Sequence, residues 1–233
     1  MADSYEAILL AAGSAKRFNH PDHTNKILMP LSRRPVFDYS LSLFLKDEKC
    51  SKIWFVINSD IETRIKEQVS KLYKQIPDKI HWLFGGVERQ DSVSLALAQM
   101  SCRSDKKILV HDAARPFITE ELVSRLVDKG RGSVAVTFGI PAKDTIKRVR
   151  DGKVCKSLFR PEIMHIQTPQ LFDCKVLTEA MEKAEHDQYY ANGETELVER
   201  LGYPVEVIEG SDANFKLTTV FDYQVAKMLE ENR

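Results

Sequence analysis

The sequence predicts a single Rossmann-like α/β domain, with a mostly parallel sheet flanked by helices and an inserted two-stranded β-arm. Three observations carry that expectation. Short β-rich apolar runs alternate with stretches of helical periodicity along the chain. No linker, low-complexity tract or internal repeat divides the 233 residues, so 1–233 reads as one domain. One segment, about 141–170, breaks the alternation with a polar hairpin pattern of its own.

Taken in order, strands are expected at 7–10, 53–57, 80–84, 107–110, 134–138 and 205–208, each a short apolar run such as IWFVI or KILV. Helices are expected at 36–45, 61–72, 92–100, 120–129, 174–185 and 196–201, and again from Val220. Helices of this length between strands imply βαβ units with helices on both sheet faces. In the odd segment, TIKRVRDGKVCKSLF alternates around Asp151-Gly152, a dipeptide suited to a two-residue hairpin turn. An isolated hairpin is not stable in water, and this one carries Val149, Val154, Leu158 and Phe159. Packing against a second subunit would bury them, so a homodimer is expected.

The bulk properties exclude several function classes. Lys plus Arg and Asp plus Glu number 34 each, so no net field points to nucleic acid or a membrane surface. Any anion site must be local. Cys50, Cys102, Cys155 and Cys174 form no CxxC pair, which argues against a disulfide framework or zinc site and for a reducing cytoplasm. The N-terminal MADSYEAILL has too short an apolar run for a signal peptide, and no stretch approaches the roughly 20 apolar residues of a membrane span. The expectation is a cytoplasmic protein.

Four loops could carry chemistry. After ILL, the residues Ala11, Ala12, Gly13, Ser14 and Ala15 bear almost no side chain, and Lys16 and Arg17 follow at once. In open α/β sheets ligands sit beyond the C-terminal strand ends, where exposed N–H groups and cations bind oxyanions. The spacing fits neither the dinucleotide fingerprint nor the P-loop. A phosphate loop and a plain tight turn both remain open, as do substrate and solvent roles for Lys26. In VHDAARPF, Asp112 ends a near-continuous apolar strand. It comes too early to cap the helix that starts near Thr119–Glu121, which favours a ligand for Mg²⁺ bridging substrate phosphates. On that reading, Asp112→Asn should leave metal-free stability unchanged or raised. Arg115 suits either a carboxylate partner or a substrate. His111 faces away from Asp112 along a strand and reads as structural. In GGVERQDSVSLAL, two glycines precede a helix whose Asp91 or Ser92 could cap it, with Ser92 also able to reach a base or ribose. In GSDANFKLTTVFD, Lys216 lies near Asn214 and could snorkel or bind phosphate.

Together, AAGSAKRF, NKILMPL, GGVERQDSV, VHDAARPF, PAKDTIKR, QTPQLF and NFKLTT resemble, in this order, the 2-C-methyl-D-erythritol 4-phosphate cytidylyltransferase family of non-mevalonate isoprenoid synthesis. The ribitol-5-phosphate cytidylyltransferases of teichoic-acid synthesis share most of these motifs, but HDAARP and ERQDSV look more like the isoprenoid enzymes. The resemblance implies an enzyme that joins CTP to a sugar or polyol phosphate with release of pyrophosphate. It implies that Ala11, Ala12, Gly13 and Ser14 lie along the nucleotide, with Arg17 and Lys26 on its triphosphate. Gly86, Arg89 and Ser92 would surround base and ribose. Asp112 would hold Mg²⁺ or another divalent cation, and Lys216 would complete the cationic, catalytic set with Arg17 and Lys26. Thr145, Arg160 and Thr168 would bind the sugar phosphate, Arg160 arriving from the neighbouring subunit. The chain departs from the family at three places. Asn25-Lys26-Ile27 stands for Pro-Lys-Gln, Val87 for an acidic residue, and Asn192-Gly193-Glu194 for Thr-Asp-Glu/Asp, which loses a hydroxyl and a carboxylate near the acceptor.

Overall fold

Apolar residues on both sides of the strands force helices onto both faces of one sheet. The computed structural model describes residues 4–13, 18, 25–102 and 106–232. Its strands are β1 (Tyr5–Ala11), the short pair β2 (Pro30–Leu31) and β3 (Arg34–Pro35), β4 (Cys50–Ile57), β5 (Ile80–Phe84) and β6 (Lys107–Asp112). They continue as β7 (Ala135–Pro141), β8 (Lys147–Arg150), β9 (Lys153–Ser157), β10 (Met164–Asp173) and β11 (Val205–Glu209). The helices are α1 (Val36–Lys46), α2 (Glu62–Tyr73), α3 (Arg89–Ala98), α4 (Glu120–Gly130), α5 (Cys174–His186), α6 (Glu194–Arg200) and α7 (Val220–Glu231).

Seven strands form one sheet in the order β11-β7-β10-β6-β1-β4-β5. Neighbours pair in parallel except β10, which runs antiparallel to both β6 and β7. Leu9, Phe55 and Leu109 point to one face and pack on α1, α2 and α4 through Phe37, Leu41, Val69 and Leu126. Ile8, Val56 and Val110 point to the other and meet α3, α5 and α6 through Val93, Leu177 and Val198. A third cluster ties α7 to the β2–β3 corner through Leu31, Tyr223 and Ala226. The consequence for function is topological. The chain runs outward from β1 to β4 and β5 on one side and returns to β6 on the other. The β1/β6 boundary is therefore a switch point, and a crevice opens beyond the strand ends there.

One expectation is corrected. The expected arm at 141–170 is shorter, because Pro141 ends β7 and Met164–Asp173 is an interior strand of the main sheet. The run MHIQTPQLFD hides that strand, since polar residues and Pro169 interrupt it. The register shifts between Gln167 and Gln170, where a proline without an N–H is tolerated. The true hairpin is β8–β9, and its turn residues Asp151 and Gly152 have φ of 48° and 71°, the left-handed region that an Asp-Gly turn requires. The structure also brings Cys102 beside Cys174. The partners are 72 residues apart, and only the packing of α5 beside α3 brings them together. No helix among the described residues is long and apolar enough to cross a membrane.

Candidate active site

The C-terminal ends of β1 and β6 place Ala11, Ala12, Gly13 and Asp112 on one edge, in register through the Leu10–Asp112 pair. They line a cavity of about 680 Å³ together with Lys26, Gly86, Val87, Arg89, Ser92 and Lys216. Most of the nucleotide-binding residues expected from the sequence therefore converge. Ser14 and Arg17 lie outside the described residues.

Close approach explains the small residues. A Cβ on Gly85 would sit 2.4 Å from the Ala12 Cβ and 2.7 Å from Ser92 Oγ, so the β1 and β5 loops meet only because that side chain is missing. Ser92 Oγ accepts from the Gly86 N–H at 3.2 Å and donates to the Glu88 carbonyl at 3.3 Å. Ser92 thus ties its loop, and Glu88 rather than Asp91 or Ser92 caps α3, in a reciprocal box with Asp91. The Asn25 departure also has a physical role. Its side chain accepts from the Ile27 N–H, capping the turn that carries Lys26, and its amide reaches the Gly13 carbonyl at 3.4 Å.

Asp112 is the electrostatic centre. Its Oδ2 lies 2.8 Å from Lys216 Nζ and 3.8 Å from Arg115 Nε, and its Oδ1 lies 3.3 Å from Arg89 Nε. Burial pushes its carboxyl pKa up, but Arg89, Lys216 and Arg115 outweigh burial and hold it far below the usual carboxylate range. Asp112 therefore stays ionised. His111, one residue earlier, faces the other way as expected. It is buried between Ser40 Oγ at 3.1 Å and Thr168 Oγ1 at 3.2 Å, and burial pushes its pKa down to about 3.

The residues expected at the sugar phosphate do not line this cavity. Thr168 is buried, and its Oγ1 accepts from the Asp112 N–H at 3.0 Å, so its hydroxyl fixes the β6 end rather than facing the cavity. Arg115 donates from Nη1 to the Asn214 carbonyl at 2.7 Å and pairs with Asp112, the carboxylate partner that one of its two readings expects. Thr145 and Arg160 are exposed on the arm, Arg160 donating to the Lys143 carbonyl at 3.0 Å, and neither is among the residues lining the cavity.

Sequence reasoning missed the residues that hold the charged groups. Asn214, fully buried, donates to the Thr168 carbonyl at 2.9 Å, and the Leu217 N–H donates to the Ala114 carbonyl at 2.8 Å. These bonds fasten the Lys216 loop beside Asp112, and the only signal was the place of Asn214 in NFKLTT. Glu194 had appeared only as part of a departure. It meets Arg89 at 2.5 Å, so a carboxylate remains at this position.

Residues 5–231 match the family described as IspD: 2-C-methyl-D-erythritol 4-phosphate cytidylyltransferase. The chain belongs to this family. A 2-C-methyl-D-erythritol 4-phosphate cytidylyltransferase from Halalkalibacterium halodurans is 36% identical over 97% of this chain and 96% of its own length. One from Lysinibacillus sphaericus is 36% identical over 94% of this chain and 92% of its own. The crystal structure of 4-diphosphocytidyl-2C-methyl-D-erythritol synthase from Anaerococcus prevotii superposes with a TM-score of 0.83 at 27% identity, covering 98% of this chain and 97% of that one. That agreement extends the match from motifs to the fold of nearly the whole chain.

Proposed function

We propose that this chain is a CTP-dependent cytidylyltransferase that joins CTP to 2-C-methyl-D-erythritol 4-phosphate in the isoprenoid pathway, releasing pyrophosphate. The observation that carries the reading is the cavity at the β1/β6 switch point, where a loop of small residues faces an ionised Asp112 flanked by Lys216 and Arg89. The names of the curated relatives favour methylerythritol phosphate over ribitol 5-phosphate as acceptor.

An oxygen of the acceptor phosphate attacks the α-phosphorus of CTP. The new P–O bond forms as the bond to the β-phosphate oxygen breaks, and the electron pair leaves with pyrophosphate. The acceptor is already ionised at neutral pH, so alignment and charge neutralisation matter more than a general base. Lys26, Lys216 and Arg17 are assigned to the phosphates, and the small residues Ala11 to Ser14 admit the nucleotide close to the backbone. Gly86, Arg89 and Ser92 are assigned to base and ribose.

A divalent cation, Mg²⁺ in our reading, fits the donor set. Among the described residues no cluster of three or more His, Cys, Asp or Glu could hold a metal alone. A single hard carboxylate suits an ion that draws its other ligands from phosphates and water. Asp112 would hold it, and the ion would supply Lewis-acid neutralisation of phosphoryl oxygens.

The whole chain acts as one nucleotidyltransferase domain, and the assembly we propose is a homodimer. Val149, Val154 and Phe159 are all exposed on the arm, which supports burial against a second copy. Thr145 and Arg160 then serve the partner's acceptor site. We place the enzyme in the cytoplasm, with its nucleotide substrate. Pyrophosphate release, measured with four nucleoside triphosphates crossed against methylerythritol 4-phosphate and ribitol 5-phosphate, tests the reading. Turnover only with CTP and the former is expected; release with ribitol 5-phosphate alone, or with no pair, overturns it.

A further inference from the structure

We infer that Glu194 is a positioning residue that fixes the guanidinium of Arg89 against the nucleotide, an inference that rests on the assignment of Arg89 to base and ribose. Arg89 is the first residue of α3 and Glu194 the first of α6, so two helix N-termini meet at this pair. A cation at a helix N-terminus opposes the helix dipole. Its presence there calls for a compensating anion, and Glu194 supplies one. Glu194 is 1% exposed, and both its oxygens accept from Arg89 Nη1, at 2.5 and 2.6 Å. Arg89 Nε donates to Asp112 at 3.3 Å. Two carboxylates thus engage two of the three guanidinium nitrogens. Nη2 is the one with no partner among the described residues, on a side chain that remains 31% exposed and lines the cavity.

A planar fork held at two points cannot swivel, so its third donor keeps one direction before any ligand arrives. The support itself is braced. Gln90, next in sequence, donates to the Tyr189 carbonyl and accepts from the Ala191 N–H, both at 3.0 Å, and so holds the loop leading into α6 against α3. Without Glu194, Asp112 would be the sole anion on Arg89, and the guanidinium would be free to turn onto it and away from the nucleotide. Burial lowers the pKa of Arg89, but Glu194 and Asp112 raise it further, so the group stays charged throughout.

The test is a double-mutant cycle read by calorimetric CTP affinity, with Mg²⁺ and no acceptor, and by steady-state kinetics. The variants are Glu194→Gln, Arg89→Gln and the pair. Glu194→Gln is expected to raise Kd and KM for CTP roughly tenfold, the scale on which supporting partners act. Its kcat should stay within about threefold and its acceptor KM should not move, the pattern of lost ground-state positioning. In the Arg89→Gln background the same change should cost nothing further. Wild-type CTP affinity in Glu194→Gln, or an equal penalty in both backgrounds, overturns the inference and leaves the assignment of Arg89 standing. Wild-type affinity in Arg89→Gln overturns that assignment and the inference with it. Should Glu194→Gln fail to fold, the charge-preserving Glu194→Asp carries the same cycle, with Kd raised at least about threefold by the shorter reach, and unchanged affinity there is the overturning result.

Discussion

Replacing Asp112 by asparagine removes one negative charge from among three cations while keeping the side chain's size. At an effective dielectric of about 20, single pairs at 2.8, 3.3 and 3.8 Å are each worth about 4–6 kcal/mol before desolvation. Solvation offsets most of that, because Lys216 and Arg89 stay about a third exposed. Removing one partner of a buried ion pair typically costs about 3–5 kcal/mol. The low end, about 3 kcal/mol, applies here since Arg89 keeps Glu194. For a chain of this size that lowers Tm by about 6–12 °C. This is opposite to the expectation from sequence, where a carboxylate reserved for metal would have no cation to lose. Thermal melts of both proteins in chelator measure it. The ligand response should change sign as well. Around the carboxylate, three cations then face Glu194 alone, so metal-free CTP should bind the variant more tightly and added Mg²⁺ should improve binding little. A midpoint in chelator equal to or above wild type would refute the account of Asp112 as the group that organises these cations.

Lys26→Ala and Lys216→Ala are each expected to lower kcat by two or more orders of magnitude with the fold intact, from loss of a charge on the reacting phosphates; near-normal kcat in both would remove them from the catalytic set. For His111, the folded pKa of about 3 lies below the unfolded value of about 6.5, so the unfolded chain takes the proton first. Stability owed to the neutral ring is complete above about pH 6.5 and drains away as pH falls toward 3, by about 2 kcal/mol between pH 7 and pH 5. Denaturant titrations at those two pH values should show His111→Gln losing that much less than wild type on acidification; equal losses would mean that the ring titrates normally. Mixed under conditions of subunit exchange, Arg160→Ala and Lys26→Ala should regain activity toward a quarter of wild type, because half the statistical mixture is heterodimer with one intact site. Proven exchange with no recovery would show that Arg160 does not serve its partner's site.

The sequence by itself determined the elements and the ligand edge. Apolar runs such as IWFVI and the helical periodicities are local, and they mark β4 and α1 to α7 to within a few residues of their observed ends. The side-chain-poor loop after β1 and the carboxylate closing β6 could be read from order alone, because a parallel sheet puts the C-terminal ends of its strands on one edge. The Asp151-Gly152 turn was legible for the same reason, since its chemistry lies in two adjacent residues. Only the tertiary structure decided what each charged group meets. The antiparallel insertion of β10 between β6 and β7 sets Thr168 under Asp112, and the loop after β11 brings Lys216 to the same carboxylate. Arg89 and Glu194 lie 105 residues apart, and Cys102 and Cys174 lie 72 apart. Strand order follows from how the crossovers bury both faces of the whole sheet, a global condition that no local period records. Contacts across that order therefore become visible only once the chain is folded.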